Sequence, residues 1–149
     1  KCGDIAVYSG LAGGAEMMLV PEINVNVDTL ASKIIKNKIK GKNSDIIILA
    51  EGVCDASELK KQLEEKTNIT LRTVKLGHIQ RGGTPTMADR VLAARFAQRA
   101  VDVIMQKGGA RVVGIKDNAI IDMDINEALS MKRSFKSKDL YTLANLLGQ

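Results

Sequence analysis

The chain has 149 residues, of which 45% are hydrophobic, enough for one core and one domain. No apolar run approaches the length of a membrane span, and the Lys- and Asp-interrupted N-terminal segment lacks the pattern of a signal peptide. The net charge of +5 raises nucleic-acid binding as a question, but acids and bases are interleaved, as between Glu58 and Lys66. With two Phe, two Tyr and no Trp, a base-stacking platform is not expected. A basic balance suits anionic small molecules instead. Cys2 and Cys54 have neither metal-ligand spacing nor the density of a disulfide scaffold, so both are expected as reduced thiols of a cytosolic protein.

Residues 3–13 read as a helix with small residues on one side, ending at Gly13-Gly14. Met17 to Val20 reads as a short apolar strand stopped by Pro21. Asp28 to Lys40 has the spacing of an amphipathic helix, with Leu30, Ile34, Ile35 and Ile39 apolar and Lys33, Lys36, Lys38 and Lys40 around them. Asp45 to Ala50 is a continuous apolar run, expected as a strand buried on both faces. Ser57 to Thr67 reads as a charged helix with Leu59 and Leu63 inward.

Leu71 to Leu76 alternates and is β-branched, the pattern of a strand. The turn Gly77-His78-Ile79-Gln80-Arg81-Gly82-Gly83 follows. A long helix from Pro85 to about Gln106 comes next, with Thr84 as its N-cap and Pro85 in its first position. Its apolar face is expected to include Leu92, Phe96 and Val103, and Gly108-Gly109 is expected to end it. Arg111 to Ile115 and Ala119 to Met123 read as strands about an Asp117-Asn118 turn, and Asn126–Met131 and Ser137–Leu147 as closing helices. Strands alternating with helices predict an α/β fold, a three-layer sandwich around a mainly parallel sheet, as one domain over residues 1–149.

In such sheets ligands sit beyond the C-terminal strand ends, and two of those ends carry polar groups. Glu51 follows the apolar run; its carboxylate suits either sugar hydroxyls or the cap of the next loop. His78 and Arg81 stand in the glycine-rich turn, where an imidazole, a planar guanidinium and free backbone N–H groups at a helix start suit a phosphate monoester. The alternative is a solvated arginine and a packed histidine. Lys36 to Lys42 reads equally as a solvated helix end, where cations favour the dipole.

The wording of the turn, Gly-His-Ile-Gln-Arg-Gly-Gly-Thr-Pro with Asp89-Arg90, resembles the sugar-phosphate loop of the 6-phosphofructokinases. Cys2-Gly3-Asp4-Ile5, Gly13-Gly14-Ala15-Glu16, Val20-Pro21-Glu22, Ala50-Glu51-Gly52 and Gly108 to Gly114 occur in the same order and at similar spacing as in bacterial ATP-dependent members. The resemblance covers the C-terminal half of such an enzyme, so the chain is expected to be a fragment lacking the ATP-binding half. It implies that Glu51 holds the hydroxyls of fructose 6-phosphate and that His78 and Arg81 hold its phosphate. Arg72 would reach a neighbouring subunit's site, which implies an oligomer, a tetramer in the family.

The resemblance also implies an effector site. Gly14 and Glu16 match positions that coordinate the Mg2+ of an effector nucleotide such as ADP through a carbonyl and a carboxylate, and Lys40 and Lys42 match contacts to its phosphates. Asn43 and Ser44 stand where further basic residues are common, which implies weaker or altered effector binding. No ATP loop, magnesium-binding aspartate pair or general base stands out, so catalysis by this chain alone is not expected. A pyrophosphate donor, or a non-catalytic domain sensing sugar phosphate or nucleotide, are the alternatives.

Overall fold

A computed structural model describes residues 2–106, 109–131 and 135–148. These fall into two compact units, one from the described residues of 1–75 and 134–149, the other from those of 76–133.

The first unit holds α1 (Asp4–Ala12), β1 (Met17–Leu19), α2 (Val27–Ile39), β2 (Ile47–Leu49), α3 (Ala56–Thr67) and α6 (Lys138–Leu147). β1 and β2 pair in parallel with Met17 opposite Ile47 and Leu19 opposite Leu49. Strand alternation then sorts the apolar side chains. Met17 and Leu19 cluster with Leu30, Ala31 and Ile34 of α2 and with Leu59 and Leu63 of α3. Val20 and Ile48 belong to a second cluster, with Ala6 and Val7 of α1 and Leu140 and Tyr141 of α6. Met18, Leu63, Val7 and Val20 are fully buried, each worth roughly 1.5–3 kcal/mol of transfer free energy.

Caps fix where the helices begin. Asn26 accepts the Thr29 N–H at 3.0 Å at the start of α2. Asp55 accepts from Ser57 and Glu58 at 2.9 and 3.1 Å at the start of α3, satisfying N–H groups that have no intrahelical acceptor. For α1 the service is long-range: Glu22 accepts the Gly3 N–H with both oxygens, at 3.0 and 3.1 Å, placing a negative charge at the helix N-terminus. Ser137, buried at the start of α6, donates to Asp4 Oδ1 at 2.6 Å and ties the chain's ends together.

The second unit opens with a 3₁₀ turn, Gly77–Arg81, followed by α4 (Met87–Gln106), β3 (Arg111–Lys116), β4 (Ala119–Asp124) and α5 (Ile125–Ser130). β3 and β4 form an antiparallel hairpin. Asp117 and Asn118 both take positive φ, at 50° and 62°, the backbone of a type I′ turn, whose twist matches the strands it joins. Leu92 and Phe96 of α4 are half-buried and Val103 is buried. The Asp122 side chain of β4 is buried and accepts from Arg99 of α4, with Nε at 2.9 Å, and from Arg111 of β3, with Nε at 2.7 Å.

The fold is mixed α/β, but the described residues do not form a three-layer sandwich on a mainly parallel sheet. Each sheet has two strands, and the second is antiparallel. Only Asp117 and Asn118 separate β3 from β4, whereas a parallel crossover needs a dozen residues or more. Leu71 to Leu76 is not a strand either. Its alternation gives the right side-chain pattern, yet it has no ladder partner among the described residues, and Val74 is 81% exposed. Strand β2 is three half-buried residues rather than a run buried on both faces. Helix α4 starts at Met87, not Pro85, because the capping pair is Thr86 with Asp89: the Thr86 hydroxyl accepts the Asp89 N–H at 3.3 Å while Asp89 Oδ2 accepts the Thr86 N–H at 2.8 Å. The expected stop at Gly108 lies outside the described residues.

Candidate functional site

One group of the sequence-derived residues comes together at the edge of the parallel pair. Gly14 closes the turn between α1 and β1 at φ +70°, a conformation that costs glycine no Cβ clash. Glu16 follows, with its backbone N–H on the Ile46 carbonyl at 3.1 Å. Its carboxylate turns inward: Oε2 accepts the Ile46 N–H at 2.5 Å, and Oε1 accepts from Lys42 Nζ at 2.5 Å. Lys33 Nζ, from α2, donates to the Glu16 carbonyl oxygen at 2.9 Å. Asn37, buried on α2, donates to Asp45 Oδ1 at 2.7 Å, and the same oxygen stands 4.0 Å from Lys42 Nζ. Two ammonium groups and two carboxylates thus cancel within one cluster.

The electrostatics follow from these neighbours. Burial alone would push the Glu16 carboxyl up, but the Ile46 N–H and the Lys42 ammonium outweigh it and hold the group below its ordinary value. Burial pulls the Lys33 ammonium below its ordinary value, against the attraction of Asp45 and Glu16. Lys40 is less engaged. It caps the C-terminus of α2 with its backbone N–H on the Lys36 carbonyl at 3.1 Å and is exposed.

A hard divalent cation prefers oxygen ligands, and the Gly14 carbonyl and Glu16 carboxylate supply the right chemistry. They supply two donors against the six that Mg2+ takes, so phosphate oxygens and water would complete the shell. Among the described residues no group of three or more His, Cys, Asp or Glu side chains could hold a metal by itself. The Lys42 ammonium sits against Glu16 Oε1 and the Ile46 N–H against Oε2, so both carboxylate oxygens already have partners.

The sugar-phosphate candidates are distributed differently. Glu51 is exposed in the turn that leaves β2, directly after the Ala50 N–H pairs with the Leu19 carbonyl at 2.9 Å. Arg72 is exposed on the extended segment that follows α3, in the same unit. His78 and Arg81 belong to the second unit and share the 3₁₀ turn, three residues apart, where side chains stack on one side. Gly77 and Gly82 flank them at φ 59° and 90°, and a Cβ at Gly82 or Gly83 would meet nothing within 4 Å. Both side chains are exposed.

At the start of α4 the capping pair occupies two N–H groups, those of Thr86 and Asp89. Hydrogen bonds from the Thr86 hydroxyl and then from its N–H hold the exposed Asp89 carboxyl below its ordinary value. That end of the helix therefore carries a carboxylate of its own, and His78 and Arg81 are the cationic and donor groups of the turn.

Sequence reasoning missed Lys33, Asn37 and Asp45. The signal was Asn37 itself, a polar residue on the Leu30–Ile34 face of α2, where an apolar side chain is expected. A buried amide needs a partner, and Asp45 provides it.

The described residues define a mixed α/β protein with a charge-balanced lysine–carboxylate cluster and a glycine-flanked His/Arg turn. Comparison with known proteins is more specific. The phosphofructokinase family model matches residues 1–104. The chain is 51% identical over 149 residues to an ATP-dependent 6-phosphofructokinase of Clostridium botulinum (strain Hall), covering 100% of this chain and 46% of that protein. With the ATP-dependent 6-phosphofructokinase of Clostridium acetobutylicum it shares 51% identity over 148 residues, again 46% of that protein. The structure of Pichia pastoris phosphofructokinase in the T-state superposes with a TM-score of 0.70 at 27% identity, covering 99% of this chain and 17% of that one. The chain belongs to the phosphofructokinase family. It spans about half the length of the curated relatives it matches.

Proposed function

We propose that this chain is the sugar-phosphate- and effector-binding part of an ATP-dependent 6-phosphofructokinase, which converts fructose 6-phosphate to fructose 1,6-bisphosphate with Mg2+ in the cytoplasm. The observation that carries the reading is the His78/Arg81 turn, an exposed donor and guanidinium between two glycines of positive φ, in a chain 51% identical to an enzyme of that name. Arg81 pairs bidentately with the 6-phosphate and His78 donates a further hydrogen bond. Glu51 accepts from the sugar hydroxyls. Arg72 serves the site of a neighbouring subunit, so the working enzyme is an oligomer, a tetramer in this reading. Gly14, Glu16, Lys40 and Lys42 form the effector site for a magnesium-bound nucleotide such as ADP, with Mg2+ supplying charge neutralisation for its phosphates.

In this role the chain positions the acceptor sugar and leaves phosphoryl donation to residues outside it, so it is inactive alone. In the whole enzyme the parallel pair β1–β2 is part of a wider parallel sheet in a three-layer sandwich. Calorimetric titration of fructose 6-phosphate into the chain, beside Arg81→Ala, tests the central claim. Binding by the parent chain that weakens at least roughly tenfold in the variant supports it, since a charge-assisted contact is worth about 1.5–3 kcal/mol. Equal binding by both overturns the role of Arg81.

A further inference from the structure

Arg72 stands on a segment that no strand holds among the described residues, since Leu71 to Leu76 lacks a ladder partner there. Helix α3 supplies a different anchor. It ends at Asn68, whose φ is 53°, and Glu64 grips the departing chain at two points. Its carbonyl oxygen accepts the Asn68 N–H at 2.9 Å. Its carboxylate Oε1 accepts the Leu71 N–H at 2.7 Å, a charge-assisted bond and therefore a strong one. Lys60 Nζ lies 3.8 Å from the same oxygen, an ion pair at the surface and worth little by itself. Between the two grips burial alternates. Ile69 and Leu71 are half-buried and pack against the cluster that holds Leu59 and Leu63, while Thr70 and Arg72 are exposed. A slip of one residue would turn Arg72 towards that cluster. The Glu64–Leu71 bond pins the register at the residue directly before Arg72.

We propose that Glu64 is a positioning residue for Arg72: its carboxylate latches the Leu71 N–H and so fixes the side of the chain on which the guanidinium is offered to a sugar phosphate. The inference rests on the reading of Arg72 as a phosphate contact in a neighbouring subunit's site. Glu64 itself touches no substrate. Its contribution is to order the backbone beneath a long side chain before binding, which lowers the cost of immobilising that side chain on the ligand.

The test uses the whole enzyme, in which Arg72 has a neighbouring site to reach. KM for fructose 6-phosphate and kcat are measured for the parent, Arg72→Ala, Glu64→Ala, Glu64→Gln and the double variant Glu64→Ala/Arg72→Ala. Arg72→Ala raises KM roughly tenfold or more, as loss of a charge-assisted contact. Glu64→Ala raises it roughly three- to tenfold, the ordering cost of one long side chain, with kcat unchanged, the pattern of lost uniform binding. Glu64→Gln keeps an acceptor for the Leu71 N–H and returns KM to within roughly twofold of the parent, since a neutral bond retains most of the grip. In the Arg72→Ala background, Glu64→Ala adds nothing, because the two residues act through one contact. Limited trypsinolysis of the 149-residue chain reads the latch directly: Glu64→Ala speeds cleavage after Arg72 and Lys75 roughly fivefold, as loss of one local hydrogen bond. If Arg72→Ala raises KM while Glu64→Ala does not, or if Glu64→Ala raises it equally in both backgrounds, the positioning role is wrong and the role of Arg72 stands. A Glu64→Gln enzyme as impaired as Glu64→Ala assigns the effect to the Lys60 ion pair and overturns the latch. If Arg72→Ala leaves KM at the parental value, the reading of Arg72 itself fails and the inference falls with it.

Discussion

Arg111 Nε donates to Asp122 Oδ2 at 2.7 Å across the hairpin, although the register partner of Asp122 is Val113. The contact is diagonal, between residues two positions apart on the same face, which a long side chain can span. Arg99 approaches the other oxygen from α4, with Nε at 2.9 Å, so a carboxylate with 2% of its side chain exposed binds helix and hairpin into one body. Its desolvation is tolerable only while both guanidinium groups remain, since a buried charge without its partner is strongly destabilising.

Replacing Asp122 by alanine strands two guanidinium groups at the α4–hairpin contact. Because both arginines keep part of their surface in water, with side-chain exposures of 33% and 24%, the cost is set below that of a fully buried triad, at about 2–3 kcal/mol. Urea unfolding followed by circular dichroism measures it. A loss under about 0.5 kcal/mol would mean that the hairpin is held by its apolar contacts alone.

Glu16 gives the pH dependence. Its folded pKa lies below the ordinary value of 4.5, so the unfolded chain binds the proton more readily over the intervening range. The resulting stability is present above the ordinary carboxylate pKa and is lost as pH falls through the folded value. Glu16→Gln keeps an acceptor for the Ile46 N–H but not the charge facing Lys42, and should cost about 1–2 kcal/mol at pH 7. Urea midpoints of the two proteins, compared between pH 7 and pH 3, should converge on the acid side. A gap that is constant with pH would show that ionisation of Glu16 is not the source.

How far the sequence could be read depended on whether a signal was local. The Leu30–Ile34 stripe of α2, Leu59 and Leu63 of α3 and the Asp117-Asn118 turn were legible because spacing and turn chemistry act within a few residues. Thr86-x-x-Asp89 was equally local, a hydroxyl followed three residues later by a carboxylate, but the more familiar Thr-Pro signal two residues earlier masked it. Leu71 to Leu76 failed for a different reason: alternation specifies faces, and a strand also needs a neighbour. The Asp122 triad and the Glu16 cluster join residues 23 and 26 positions apart, and no periodicity announces such pairs. Glu51, His78 and Arg81 were candidates on residue type and place beyond strand ends, whereas the role of Arg72 was suggested by family resemblance alone; all four are exposed and none carries a packing signal.

Gly10 of α1 lies directly against Met18 of β1. A Cβ there would lie 2.5 Å from Met18 Cγ and 2.6 Å from its Sδ, and Met18 is fully buried, with little room to retreat. Gly10→Ala gains helix propensity of about 1 kcal/mol, but overpacking of a tight core costs about 1–3 kcal/mol. The net expectation is a loss of about 1 kcal/mol, seen as a lower Tm. A higher Tm would show that Met18 repacks without penalty.

Arg81 and His78 of the 3₁₀ turn allow charge to be separated from geometry. Arg81→Lys preserves the positive charge but offers a point ammonium in place of a planar fork, so it cannot make two parallel bonds to one phosphate. If the turn grips a phosphate bidentately, Arg81→Lys should bind fructose 6-phosphate roughly five- to twentyfold more weakly than the parent, between the parent and Arg81→Ala. His78→Gln keeps a side-chain N–H donor in the same 3₁₀ turn and should cost only about threefold, as loss of part of one neutral hydrogen bond. Fructose without its phosphate serves as the control ligand, and its binding should not distinguish any of these variants. Parental affinity in Arg81→Lys would reduce the guanidinium to a diffuse positive charge, and a matching loss for fructose would place the damage in the fold of the turn rather than in phosphate recognition.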